Sequence, residues 1–122
     1  MTKYPIFLEM QGRKAVVIGG GSVSLQKARV LFDSGARVVI VAEKPGDLLI
    51  DFCNKNHIEL IRSKYLKEYL NEATLVIAAT NKEDVNKMVY QDSQKLGILC
   101  NVVDCPQICD FFVPAVLRRN DL

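Results

Sequence analysis

The 122-residue sequence contains no tryptophan, one histidine and no long hydrophobic run. Apolar segments such as 38–42 and 75–79 hold only five residues each, whereas a helix that crosses a membrane needs about 20. The first four residues include a lysine and lack the apolar core of a secretory signal. We therefore expect no membrane span and a cytoplasmic protein.

The histidine and the four cysteines form no recognisable metal motif. His57 lies in a stretch typical of a surface turn, so neither a histidine-rich metal site nor a Ser-His-Asp triad is expected. Cys105 and Cys109 are separated by three residues, not by the two that are usual in structural zinc sites. We interpret these cysteines, together with Cys53 and Cys100, as reduced thiols and predict no metal site.

The charged residues are nearly balanced, with 16 lysines and arginines against 14 aspartates and glutamates. Both signs are spread along the chain. Nucleic-acid-binding domains usually concentrate basic residues on one face. The charge pattern therefore argues weakly against a nucleic-acid partner.

Short β-branched runs alternate with longer amphipathic stretches along the chain, and no repeat or linker interrupts them. This rhythm predicts an α/β fold, a Rossmann-like doubly wound parallel sheet in a single domain. Strands are predicted over 14–18, 37–42, 58–61, 75–79 and 98–103, with a possible edge strand over 6–10; helices are predicted over 23–34, 47–56 and from an Asn81 N-cap to about Leu96.

Three glycines, Gly19, Gly20 and Gly21, stand between the first predicted strand and the first helix. In a dinucleotide-binding fold, this turn brings the pyrophosphate to the helix N-terminus, where free amides and the helix dipole favour an anion. Gly19 and Gly21 match the first two positions of G-x-G-x-x-G, and Ser24 replaces the third glycine. A tight turn without a ligand is the alternative, but the order of strand, turn, helix and later acid favours the dinucleotide.

Glu43 follows the second predicted strand, where an acid commonly accepts hydrogen bonds from the ribose hydroxyls. A carboxylate there would repel the 2′-phosphate of NADP. The cofactor is therefore predicted to be NAD, although the neighbouring Lys44 weakens the discrimination.

Two further strand ends carry polar residues that would meet at the same edge of the sheet. Ala79, Thr80 and Asn81 could let a cofactor lie against the backbone and offer it hydrogen bonds. Asp104 ends the last predicted strand and could act as a general base. An equally good interpretation is that Asp104 is a turn aspartate before Pro106.

Motifs over nearly the whole chain carry a family resemblance. They are YPIFL at 4–8, VIGGGSV at 17–23 with Lys27 and Ala28, AAT at 78–80, NVVD at 101–104, CDF at 109–111, and Pro114 with Ala115. In this order and spacing they resemble the N-terminal domain of siroheme synthases, the precorrin-2 dehydrogenase and sirohydrochlorin ferrochelatase family.

The resemblance implies NAD-dependent oxidation of precorrin-2 to sirohydrochlorin in siroheme biosynthesis. It assigns catalysis to Asp104 and places Ser22, Val23, Glu43 and Lys44 at the NAD site. It leaves open a second, lyase activity, in which ferrous iron is a substrate inserted into the tetrapyrrole.

The resemblance also implies a homodimer in a full-length form. Residues 1–113 would be the NAD-binding domain, and 114–122 would begin a dimerisation segment that is cut short, with residues 111–113 as natural contacts. The alternatives are an NAD(H)-binding sensor without catalysis and an interaction domain that has lost its ligand.

Overall fold

The computed structural model describes residues 2–113, which form one parallel sheet with helices on both faces. All neighbouring strands are parallel, in the order β3-β2-β1-β4-β5. The strands are β1 (Lys14–Ile18), β2 (Arg37–Val41), β3 (Glu59–Ile61), β4 (Ala73–Ala78) and β5 (Leu99–Val102); the helices are α1 (Ser22–Asp33), α2 (Asp47–Asn56) and α3 (Glu83–Leu96), with short 3-10 helices at Lys67–Leu70 and Pro106–Ile108.

Alternate residues of the central strand point into two separate hydrophobic clusters. Ala15 and Val17 of β1 pack on the face that α1 and α2 cover, and Val16 and Ile18 pack on the face that α3 covers. Burial on both sides explains why the strands are continuous β-branched runs and not alternating ones. The predicted fold class is confirmed.

Most element boundaries agree with the predictions to within two residues, and two predictions are wrong. Residues 2–10 form no strand: Phe7 is 94% and Ile6 58% exposed, and of this segment only Met10 packs into the core. Asn81 is not the N-cap of α3, because the helix follows Lys82. The Lys82 amide donates to Thr80 Oγ1 at 3.2 Å, so Thr80 organises this turn.

The outer edge of β5 is covered by the segment 109–111. The Asp110 amide donates to the Cys100 carbonyl at 2.7 Å, and the Asp110 carboxylate accepts from the Cys100 amide at 2.9 Å. Cys109 Sγ bonds both the amide and the carbonyl of Val102 at 3.2 Å. Side chains thus stand in for a sixth strand.

None of the helices in the described part is long and apolar enough to cross a membrane. Residues 114–122, where a dimerisation segment is predicted, lie outside the described residues. The boundary after residue 113 stays a prediction.

Candidate functional site

The glycine turn after β1 has no room at one end and open space at the other. Gly19 has a φ of +137°, and a Cβ on it would collide with the Ala79 carbonyl and lie 2.7 Å from Ser24 Oγ. A Cβ on Gly20 would lie 2.8 Å from the Lys44 carbonyl. A Cβ on Gly21 would meet nothing within 4 Å. The turn is therefore tightly packed at Gly19 and Gly20 and open to solvent at Gly21.

Within residues 2–113, no side chain caps the start of α1. Gly21 is the N-cap and supplies no side chain, and the first turn contains no acidic residue. The first amides of a helix have no partner within it. Ser22 and Val23 are exposed, whereas Ser24 is fully buried, and its Oγ has no hydrogen-bond partner in the described part of the chain.

This cradle fits the pyrophosphate of a dinucleotide. Free amides and the positive end of the helix dipole attract an anion, and the open space at Gly21 admits one. Ser24 occupies the third glycine position without disturbing the contact between helix and strand, since it is completely buried. The substitution is compatible with the dinucleotide prediction.

Glu43 stands at the end of β2 and pairs across the edge of the sheet with Lys82. The Lys82 ammonium lies 3.5 Å from the carboxylate, and both side chains are largely exposed. Such a surface ion pair contributes little to stability, so Glu43 remains available to a ribose hydroxyl. Lys44 is also exposed. No signal in the sequence pointed to Lys82.

Thr80, at the end of β4, is held by a buried asparagine of α3. Asn86 Oδ1 accepts from Thr80 Oγ1 at 2.6 Å and from the Thr80 amide at 3.2 Å, and Asn86 Nδ2 donates to the Thr80 carbonyl at 3.1 Å. Ala79 and Thr80 are half-buried and Asn81 is exposed. The sequence analysis missed Asn86, although a polar residue on the buried face of an amphipathic helix was a usable signal.

Asp104 follows β5 in an exposed turn with a φ of +61°. The flanking backbone is fixed, because the Val103 amide donates to the Ala78 carbonyl at 3.0 Å and the Cys105 amide to the Val102 carbonyl at 3.1 Å. Asp104 therefore lies in a turn, in agreement with the interpretation of a turn aspartate before Pro106. Its exposed carboxylate is equally free to contact a substrate.

A groove of about 190 Å³ opens beside Asp104. It runs from α1 to the segment that covers β5. Its lining residues are Lys27, Asn101, Val102, Val103, Asp104, Cys105, Pro106, Cys109, Phe112 and Val113. A larger groove, about 660 Å³, lies at the opposite end of the strands, beside Ala73 and Ile98, and contains none of the predicted site residues.

Two thiols near this groove, Cys100 and Cys109, are poor nucleophiles at neutral pH. Burial raises the pKa of Cys100 to about 11 and also raises the pKa of Cys109. Cys109 is engaged as well, since its single S–H is shared between the Val102 and Cys105 carbonyls, each 3.2 Å from Sγ. All four cysteines are free, and the described residues include no cluster of His, Cys, Asp or Glu that could hold a metal.

The family model described as "Putative NAD(P)-binding" matches residues 6–115. The chain belongs to this NAD(P)-binding family. The prediction of a nicotinamide dinucleotide cofactor is thereby confirmed, and the match covers every residue predicted at the site, from Gly19 to Asp104.

Siroheme synthases match the chain over its whole length. A siroheme synthase of Psychrobacter arcticus is 35% identical over 122 residues, and siroheme synthase 2 of Yersinia enterocolitica is 35% identical over the same length. The chain covers 22% and 26% of these proteins, so it spans about a quarter of their length.

A solved structure titled "SirC, precorrin-2 dehydrogenase" matches with a TM-score of 0.82 at 25% identity, over 98% of this chain and 59% of that one. The resemblance to the siroheme synthase family, expected from the motifs, is confirmed by these matches.

The fold brings the predicted residues of this NAD(P)-binding chain to one edge of the sheet. The glycine turn, Glu43, Thr80 and Asp104 each follow a parallel strand at its carboxyl end. His57 lies apart, exposed, as the left-handed C-cap of α2. Lys27, Lys82, Asn86 and Cys109 are the residues that the sequence analysis did not place at the site.

Proposed function

We propose that this domain catalyses the NAD-dependent oxidation of precorrin-2 to sirohydrochlorin. The observation that carries the proposal is the position of the open helix N-terminus at Gly21 on the same sheet edge as the groove beside Asp104. Relatives named siroheme synthase and a fold neighbour titled precorrin-2 dehydrogenase support it. Nothing favours the sensor reading.

Each residue of the site has a role in this reaction. The chemistry that NAD supplies when bound is the acceptance of a hydride. The amides after Gly21, including those of Ser22 and Val23, would hold the pyrophosphate, and the turn at Ala79, Thr80 and Asn81 would support the cofactor from below. The Asp104 carboxylate would accept the proton that the substrate loses as its hydride leaves.

NAD is favoured over NADP because Glu43 presents a carboxylate at the end of β2. A ribose hydroxyl can donate to it, whereas a 2′-phosphate would be repelled. Lys82 and Lys44 are nearby cations that reduce this repulsion. We therefore expect a preference for NAD and not complete exclusion of NADP.

A second activity, insertion of ferrous iron into sirohydrochlorin, is compatible with the same carboxylate. Iron would be a substrate here, and Asp104 could take up a pyrrole proton as the metal enters. The dehydrogenase is the primary proposal, because the glycine turn has a role only in that reaction.

The working form is proposed to be a homodimer in the cytoplasm. Phe112 is 43% exposed and Val113 half-exposed, and exposed apolar residues of this kind commonly mark contact surfaces. Phe111 is a less suitable contact, since it packs against the core. The four free thiols suit a reducing compartment.

The decisive experiment follows NADH formation by absorbance when the protein is mixed with precorrin-2 and NAD or NADP. Asp104→Asn should lower the rate by at least about 100-fold, the size of a general-base contribution, while NAD still binds. Turnover should be faster with NAD than with NADP. An Asp104→Asn variant as fast as the wild type would refute the assignment, and tight NADH binding without any response to tetrapyrroles would favour the sensor.

A further inference from the structure

Lys27 is a half-buried cation with no charged partner among residues 2–113. It lies in the second turn of α1 and lines the groove beside Asp104. Among residues 2–113, no carboxylate lies within ion-pair distance of its ammonium group. Lysines are seldom withdrawn from water without a counter-charge, because desolvation costs free energy.

Two other polar groups of the groove are already engaged. Asn101 Nδ2 donates to the Phe111 carbonyl at 2.8 Å, and Cys109 Sγ is bonded to Val102 and Cys105. Asp104 is an anion and would repel an acidic ligand. Lys27 is therefore the one cation among the lining residues of the groove.

We propose that Lys27 binds a carboxylate arm of the macrocyclic substrate and so orients the ring against Asp104. This rests on the proposed function, whose substrate carries acetate and propionate arms around a tetrapyrrole ring. A groove of about 190 Å³ is slightly larger than a cavity that holds benzene, about 150 Å³. It therefore suits one arm and leaves the ring itself outside, at the mouth.

The mouth of the groove has a matching apolar wall. Phe112 lines it and is 43% exposed, and the Lys3 ammonium lies 4.8 Å from the centroid of the Phe112 ring. A flat conjugated macrocycle can pack on an aromatic side chain while its arm reaches Lys27. The groove thus offers Lys27 for an arm and the Phe112 ring for the macrocycle, with the Lys3 ammonium beside one face of that ring.

Binding of two porphyrins tests this role without turnover. Uroporphyrin carries carboxylate arms on every pyrrole ring, and deuteroporphyrin carries only two. Lys27→Gln should weaken uroporphyrin binding about 10-fold, the usual effect of losing one charge-assisted hydrogen bond. Binding of deuteroporphyrin should change less, and Lys27→Arg should stay within about 3-fold of the wild type. The measurement is a fluorescence titration.

Lys87→Gln is the matched control, since Lys87 is exposed on α3, on the other face of the sheet. It should bind uroporphyrin like the wild type. With precorrin-2, Lys27→Gln should raise KM with little change in kcat. NAD affinity and the melting temperature of Lys27→Gln should match those of the wild type.

Several results would overturn the assignment. Unchanged uroporphyrin binding by Lys27→Gln would remove Lys27 from the substrate site, and an equal loss with both porphyrins would make its effect nonspecific. Weaker NAD binding alone would make it a cofactor residue. If the wild type oxidises precorrin-2 and Lys27→Gln has an unaltered KM, only this inference fails; if the wild type neither binds a macrocycle nor oxidises precorrin-2, the proposed function fails with it.

Discussion

Gly19 and Gly21 are two residues apart, and a methyl group would have opposite consequences at the two positions. At Gly19 it meets the Ala79 carbonyl in a backbone conformation with φ of +137°. At Gly21 it meets nothing within 4 Å, and the backbone is extended. Gly19 is therefore required by the fold, whereas no contact within residues 2–113 requires a glycine at position 21.

This difference gives a paired prediction. Gly19→Ala should lower the free energy of unfolding by about 2 kcal/mol or more, through strain and collision. Gly21→Ala should change it by less than about 1 kcal/mol but weaken NAD binding at least about 10-fold, because the methyl group obstructs the approach of the pyrophosphate. Urea denaturation and NAD titration measure the two effects. A Gly21→Ala variant that binds NAD normally would show that the pyrophosphate lies elsewhere.

At the scale of elements, α3 supports β4 through Asn86. Its three hydrogen bonds to Thr80 link this helix to the turn that follows β4. Because Asn86 is only 8% exposed, water cannot readily replace it. The turn at Thr80 therefore depends on a residue of the following helix.

Asn86→Ala should lower the free energy of unfolding by about 2 kcal/mol, since it leaves buried polar groups unpaired. It should also weaken NAD binding, because the turn at Thr80 loses its support. Asn86→Asp keeps the acceptor and loses the donor, so an intermediate effect is expected. Asn81→Ala, at an exposed position nearby, is the stability control and should cost less than about 0.5 kcal/mol. Equal stability of Asn86→Ala and the control would contradict this account.

Elements with strong hydrophobic patterns were predictable from the sequence. The predicted bounds of β1 and α2 agree with the structure. A short β-branched run strongly favours a strand, and an amphipathic stretch preceded by glycine strongly favours a helix, so each sequence fits only one type of element. The absence of a strand over 6–10 was not predictable, because an apolar run reads the same in sequence whether it faces the core or solvent. Residues from separate strand ends could be predicted to share an edge. Lys82 could not be placed there, because its partner Glu43 is 39 residues away in the sequence. The position of Lys27 beside the groove depends on how α1 packs against the last strand, which no local pattern encodes.

At the scale of the whole molecule, ionisation of Cys100 couples the stability of the fold to alkaline pH. Burial raises its pKa from 9.0 to about 11, so between these values the folded state holds a proton that the unfolded state has released. The free energy of unfolding therefore falls as the pH rises from 9 to 11 and is unaffected by this group below pH 9. Cys53, Cys109 and Tyr65, whose pKa values are also raised by burial, act in the same direction.

Comparison of the wild type with Cys100→Ala isolates this effect. The variant should lose stability at every pH because it leaves a small cavity. The difference in the free energy of unfolding between the wild type and Cys100→Ala should shrink between pH 9 and 11 by an amount on the order of 1 kcal/mol. Urea denaturation at several pH values provides the measurement. Parallel curves for the two proteins across this window would mean that Cys100 titrates normally in the folded state.

The covered margin of β5 has a consequence for how copies of the protein can associate. Asp110 and Cys109 already satisfy the backbone of Cys100 and Val102, and the opposite margin, β3, is only three residues long. Strands of a second molecule would find little unpaired main chain to join, so fibre growth and strand exchange are disfavoured. Association through residues 2–113 would therefore rely on complementary side-chain surfaces and not on a sheet that continues from one copy into the next.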